Sequence, residues 1–145
     1  MAKGYPDYFG YSTFMQYGPL LCDRQTLVVV PTATWTTIHN INAKGMTKGG
    51  YFDPQGDYGG MWPSVRITID GAAAFTLRVD EMWGSQAFSG EILPVFITQW
   101  IWDGLYMDCG IAPGITFQNS FLLEFYHAEG VNKNVNSFLY YTVVQ

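Results

Sequence analysis

Apolar and polar positions alternate over short stretches of this chain, and clusters of Gly, Pro, Asn and Asp interrupt almost every window. No stretch carries apolar residues at i, i+3, i+4 and i+7 followed by a cap, so helices are not expected. The β-branched and aromatic runs predict strands at 26–30, 34–41, 64–69, 73–80, 88–93, 95–102, 105–109, 115–127 and 137–144. Pro31, Pro94 and Pro113 fall between these runs, where a missing amide donor is tolerated. Short strands with frequent turn signals predict an all-β fold, an antiparallel β-sandwich of jelly-roll-like form.

Side-chain parity sharpens parts of this reading. Val65, Ile67 and Ile69 share one face of a strand, and Phe75, Leu77 and Val79 share one face of the next. A three-residue loop, Ile69-Asp70-Gly71, keeps the apolar faces together by pairing Val65 with Phe75 and Ile67 with Ala73. It also puts Gly71 at a left-handed position, and it turns Arg66, Thr76 and Arg78 outward. By the same rule Phe121, Leu123 and Phe125 point inward, and Glu124 and Tyr126 outward. The last strand is apolar on both faces, with Phe138, Tyr140, Thr142 and Val144 against Leu139, Tyr141 and Val143. It therefore belongs inside a sandwich or inside an interface.

Two segments do not read as strands. Residues 1–21 form an aromatic, nearly uncharged stretch without periodicity, expected as an extended arm ahead of a single β-sandwich domain at 22–145. Such an arm lies across its own domain or docks on a neighbour. Residues 42–63 are Gly-rich and read as a long connection, with Tyr51, Phe52, Tyr58 and Trp62 as a second contact loop.

Composition adds a constraint. Charged residues make up 13% of the 145 residues, about half the usual ~25%, while aromatics reach 17%. A surface with so little charge is covered by neutral polar residues or by other subunits, and aromatics are the types enriched at interfaces. The net charge of −5 and the scattered basic residues argue against nucleic-acid binding. No apolar run is long enough for a membrane helix, and Met1 to Asp7 holds no apolar signal core, so synthesis in a cytoplasm is expected. Cys22 and Cys109 are then expected as reduced thiols rather than a long-range bridge.

Catalytic chemistry is not indicated. His39 and His127 lie in strand-like stretches and read as structural. Metal-ligand spacing, a nucleophile elbow and a phosphate-cradling loop are all lacking, so no cofactor or metal is expected. The carboxylates Asp53, Asp57, Asp80, Glu81, Glu91, Asp103, Asp108 and Glu124 show no spacing that singles out an acid–nucleophile pair or a calcium loop. Trp62, Trp83, Trp100 and Trp102 are candidates for stacking on sugar rings, which keeps carbohydrate binding as an alternative.

The aromatic arm Tyr5-Pro6-Asp7-Tyr8-Phe9-Gly10, with Arg66-Ile67-Thr68-Ile69-Asp70-Gly71 and Pro113-Gly114-Ile115-Thr116-Phe117 in a low-charge β domain, resembles small virion proteins of tailed bacteriophages. The resemblance is to the auxiliary, or decoration, proteins of the capsid. It implies a non-enzymatic structural role on the virion surface, a homotrimer, and the major capsid protein and further copies of the chain as partners. It places the clasping contacts in the arm, at Tyr5, Tyr8, Phe9, Tyr11, Phe14 and Tyr17. A receptor- or glycan-binding tail module shares these features and is the alternative.

Overall fold

A computed structural model describes residues 18–55, 63–79, 81, 93–101 and 106–144. Nine strands run through them: β1 (Leu21–Val30), β2 (Thr36–Ile41), β3 (Gly45–Gln55), β4 (Ser64–Ile69), β5 (Ala72–Arg78), β6 (Val95–Ile101), β7 (Tyr106–Phe117), β8 (Phe121–Tyr126) and β9 (Lys133–Val143). They form a five-stranded sheet of order β1-β9-β3-β7-β6 and a four-stranded sheet of order β2-β8-β4-β5. Every pairing is antiparallel. β1 pairs with β9, β2 with β8, β3 with β7 and β4 with β5, the nested pattern of one long hairpin rolled into a jelly roll. β6 is an addition at the β7 edge. The expected all-β sandwich is therefore the fold.

The core lies between the sheets and is aromatic at its centre. Phe52 of β3 meets Phe125 of β8 edge-on at 6.0 Å, and Phe117 of β7 tilts against Phe121 of β8 at 5.9 Å. Phe121, Leu123 and Phe125 are buried, as their parity requires. Val65 and Ile67 of β4 complete this wall. Their hairpin, however, departs from the expected register. Ile67 pairs with Phe75 and Val65 with Leu77 across a two-residue Asp70-Gly71 turn. Both turn residues have positive φ, 53° and 82°, as a turn matched to strand twist requires. An extra residue on β5, at Ala74, restores the parity that a two-residue turn alone would break. The faces come out as expected by a different device.

Three other expectations are corrected. The Gly-rich segment from residue 45 to 55 is not a connection but β3, the middle strand of the larger sheet. Its glycines serve close packing: a Cβ on Gly50 would lie 2.7 Å from the carbonyl oxygen of Phe138, and one on Gly45 would collide with the carbonyl oxygen of Thr142. The run 115–127 is divided, because the chain changes sheets at residues 118–120 between β7 and β8. Pro113 sits inside β7, not between strands. There the β3–β7 register shifts, and the hydroxyl of the buried Thr47 donates to the Ala112 carbonyl at 2.9 Å and accepts from the Ile115 amide at 3.0 Å. That one side chain satisfies the groups the bulge removes from the ladder. Most of the expected 88–93 strand lies outside the described residues.

Candidate functional site

The chain's most chemically suggestive cluster bridges the two sheets. β1 carries Asp23 on its inner face, and a bulge in β2 turns His39 inward. His39 Nδ1 lies 2.8 Å from Asp23 Oδ2, and its Nε2 lies 2.6 Å from Ser137 Oγ on β9. The Ser137 hydroxyl also reaches the Tyr51 carbonyl at 2.7 Å. An acid, an imidazole and a hydroxyl in that order are the parts of a hydrolytic triad. Their exposure is reversed, however. The shallow cleft of about 440 Å³ beside them is lined by Asp23, with Cys22, Gln25, Thr37, Ile38, Asn40, Ile41 and Tyr141. Ser137 and His39 are buried. A nucleophile needs the exposed end of such a chain, and here the carboxylate has it.

Protonation fits a structural reading. Burial pushes the His39 pKa below its ordinary value and outweighs the hydrogen bond and charge of Asp23, which act upward. The ring contacts Asp23 through Nδ1 and Ser137 through Nε2, while the Ser137 hydroxyl donates to the Tyr51 carbonyl. This ties β2 to both β1 and β9. His127 acts in the same way at the next corner, donating from Nε2 to the Val30 carbonyl at 2.9 Å. Both histidines link neighbouring elements through their side chains.

The outward face of the larger sheet has a different character. Phe96 of β6, Gly110 of β7, Tyr51 of β3, Phe138 of β9 and Arg24 of β1 stand in one cross-strand row. The Phe96 ring occupies the space a side chain at Gly110 would need. Tyr51 and Phe138 are near-parallel at 5.5 Å and 23°, and Tyr140 meets Phe138 edge-on at 5.5 Å. Such pairs add to the area they bury. Beside the row lies an open groove of about 370 Å³, lined by Arg24, Gln25, Thr26, Tyr51, Asp53, Asn136, Ser137 and Phe138.

The exposed large apolar residues among the described ones gather at the same edge. Leu20 precedes β1, Leu27 and Val29 lie on β1, Val131 precedes β9, and Phe138 and Tyr140 lie on β9. A bulge after Gln25 produces part of this pattern. Leu27 takes a positive φ of 52°, and its amide donates to Asn136 Oδ1 at 2.9 Å. Beyond that point the inward phase passes to Val28 and Val30, and Leu27 and Val29 face solvent.

The outward face of the smaller sheet is self-contained by comparison. Arg66 Nε donates to Glu124 Oε2 at 2.7 Å, and its guanidinium lies 4.3 Å above the Trp35 ring, which tilts against Tyr126. The charges there already have partners. At the end of that sheet the Asp70 carboxylate accepts hydrogen bonds from the amides of Gln118, Asn119 and Ser120. These bonds hold its pKa below the ordinary carboxyl value.

The sequence-predicted contacts distribute unevenly. Phe52 is fully buried in the core and is no contact residue, because β3 turns it inward. Tyr51, its neighbour, faces outward in the aromatic row. Tyr58, Trp62, Trp83 and Trp102, and the arm residues Tyr5, Tyr8, Phe9, Tyr11, Phe14 and Tyr17, lie outside the described residues. Cys22 and Cys109 are free thiols, one exposed and one buried. Phe138, Tyr140 and Arg24 were not singled out by sequence. The signal was present in the double-sided apolar strand at 137–144, whose outer face had to meet something.

Among the described residues no group of three or more His, Cys, Asp or Glu is placed to hold a metal ion, and no helix is long and apolar enough to cross a membrane. No protein-family model matches the chain, and no curated protein is significantly similar to it.

Proposed function

We propose that this chain is a non-catalytic structural subunit that works by packing against other protein subunits, and that the assembly is a phage capsid it decorates. The observation that carries this reading is the collection of exposed apolar side chains on one edge of the jelly roll, β1 with β9. Exposed apolar residues gathered on two paired strands of a chain with 13% charged residues fit a surface that a partner covers. Leu27 and Val29 add to this, since an edge strand ordinarily carries charge at exposed positions and here carries two large apolar side chains. The capsid as the particular partner rests on the sequence resemblance, and the aromatic arm at 1–21 is the expected second contact.

Two measurements test the proposal. Light scattering across a dilution series is expected to give a stable oligomer, a trimer under the decoration reading. Deleting residues 2–17 is expected to leave a folded domain that no longer binds capsids. Unchanged capsid affinity after that deletion would remove the arm from the interface. A strictly monomeric chain with no capsid affinity would overturn the reading altogether.

A further inference from the structure

We infer that the groove bounded by β1, β9 and β3 is a carbohydrate-binding site for a neutral hexopyranose unit. This goes beyond the assembly reading and does not depend on it. A pyranose has an apolar face of C–H groups and a rim of hydroxyls that both donate and accept. The groove supplies a complement to each. Tyr51 and Phe138 stack on each other at 5.5 Å, and the part of the Phe138 ring that stays exposed, 37%, offers an electron-rich surface to C–H groups. Around it stand the exposed guanidinium of Arg24 and hydroxyl of Thr26, the amide of Asn136, whose Oδ1 already accepts from the Leu27 amide, and the largely buried carboxylate of Asp53; the Gln25 amide is turned to Asp23. Planar groups of this kind bond two neighbouring hydroxyls at once.

Size and charge narrow the ligand. About 370 Å³ falls at the lower end of small-molecule sites, roughly 300–1,000 Å³, which suits one or two sugar rings and not a folded partner. Arg24 and Asp53 line the groove together, so it presents both signs and favours neither an anionic nor a cationic ligand. The polar share of the wall separates it from the purely apolar contacts at Leu27, Val29 and Val131.

The platform is also held rigidly. Tyr51 sits on the middle strand, between β9 and β7, and Phe138 lies directly across from it. The Tyr51 carbonyl is fixed by Ser137 behind the groove. The backbone beneath the rings therefore needs no rearrangement for binding.

The test uses the full chain. Saturation-transfer NMR is run against D-glucose, D-galactose, D-mannose, N-acetyl-D-glucosamine and their linked trisaccharides, followed by a glycan array. At least one neutral hexopyranoside is expected to bind. Phe138→Ala and Arg24→Ala are each expected to weaken it by about tenfold or more. Val29→Ser, outside the groove, is expected to bind as the parent does. Circular dichroism shows whether each variant is folded. Both substituted side chains are exposed, so folded variants are expected, and Phe138→Ser is a second choice at that position. Absence of binding to every sugar overturns the proposal, and so does binding that Phe138→Ala and Arg24→Ala leave unchanged. Capsid binding without sugar binding would refute this site and leave the assembly reading standing. Sugar binding without oligomer or capsid affinity would do the reverse.

Discussion

Two side chains carry much of the connection between layers. His39 is neutral where it is buried, and its pKa lies below that of the unfolded chain. The unfolded state therefore binds more protons as the pH falls below the ordinary histidine value of about 6.5, and stability falls with it. Urea midpoints across that range are expected to decline for the parent chain. They are expected to decline less for His39→Gln, whose stability at neutral pH is lower throughout. Ser137→Ala removes the hydroxyl that contacts His39 Nε2 and donates to the Tyr51 carbonyl inside the core. It is expected to cost about 1–3 kcal/mol, read as a lower urea midpoint at unchanged slope. Asp70 works in the opposite sense. Its depressed pKa makes its contribution complete above the ordinary carboxyl range and lost as pH falls through the folded value. Asp70→Asn is expected to lower the melting temperature at neutral pH, with the gap to the parent closing in acid.

At the level of strands, glycine is what sequence reading misjudged. Gly45, Gly49 and Gly50 made 42–63 look like a connection, yet two of them let the middle strand approach its neighbour. Gly50→Ala is expected to destabilise the fold by at least about 1–3 kcal/mol, because the obstacle is backbone and cannot rotate away. Phe52→Ala is expected to cost about 3–5 kcal/mol in thermal or urea unfolding, as a core residue does and a surface contact does not. Alternation, by contrast, was legible: it assigned the inward faces of β4 and β8 correctly. It failed to place bulges, since one inserted residue leaves no mark in composition. Hence the β4–β5 register differed while its faces agreed. The aromatic row could not be read either. It joins residues 96, 51 and 138 across four strands, and only the strand order makes them neighbours.

For the whole molecule, the β1–β9 edge is where association is expected, and it can be challenged without touching the core. A Leu27→Asp, Val29→Asp double variant replaces two exposed apolar side chains. It is expected to keep the melting temperature within a few degrees and to shift the mass measured by light scattering toward the monomer. An unchanged mass would place the interface elsewhere. The nested pairing has a kinetic consequence as well. β4 and β5 are joined by two residues, whereas β1 must find β9 more than a hundred positions away, as Cys22 finds Tyr140. Loop closure makes such pairings slow, so the hairpin at the centre of the sequence is expected to nucleate and the outer pairs to zip up after it. β1 would then be the last strand home and the first to leave. The surface that invites a partner in the finished protein is thus also the one left uncovered longest while the chain is still folding, when any other copy can reach it.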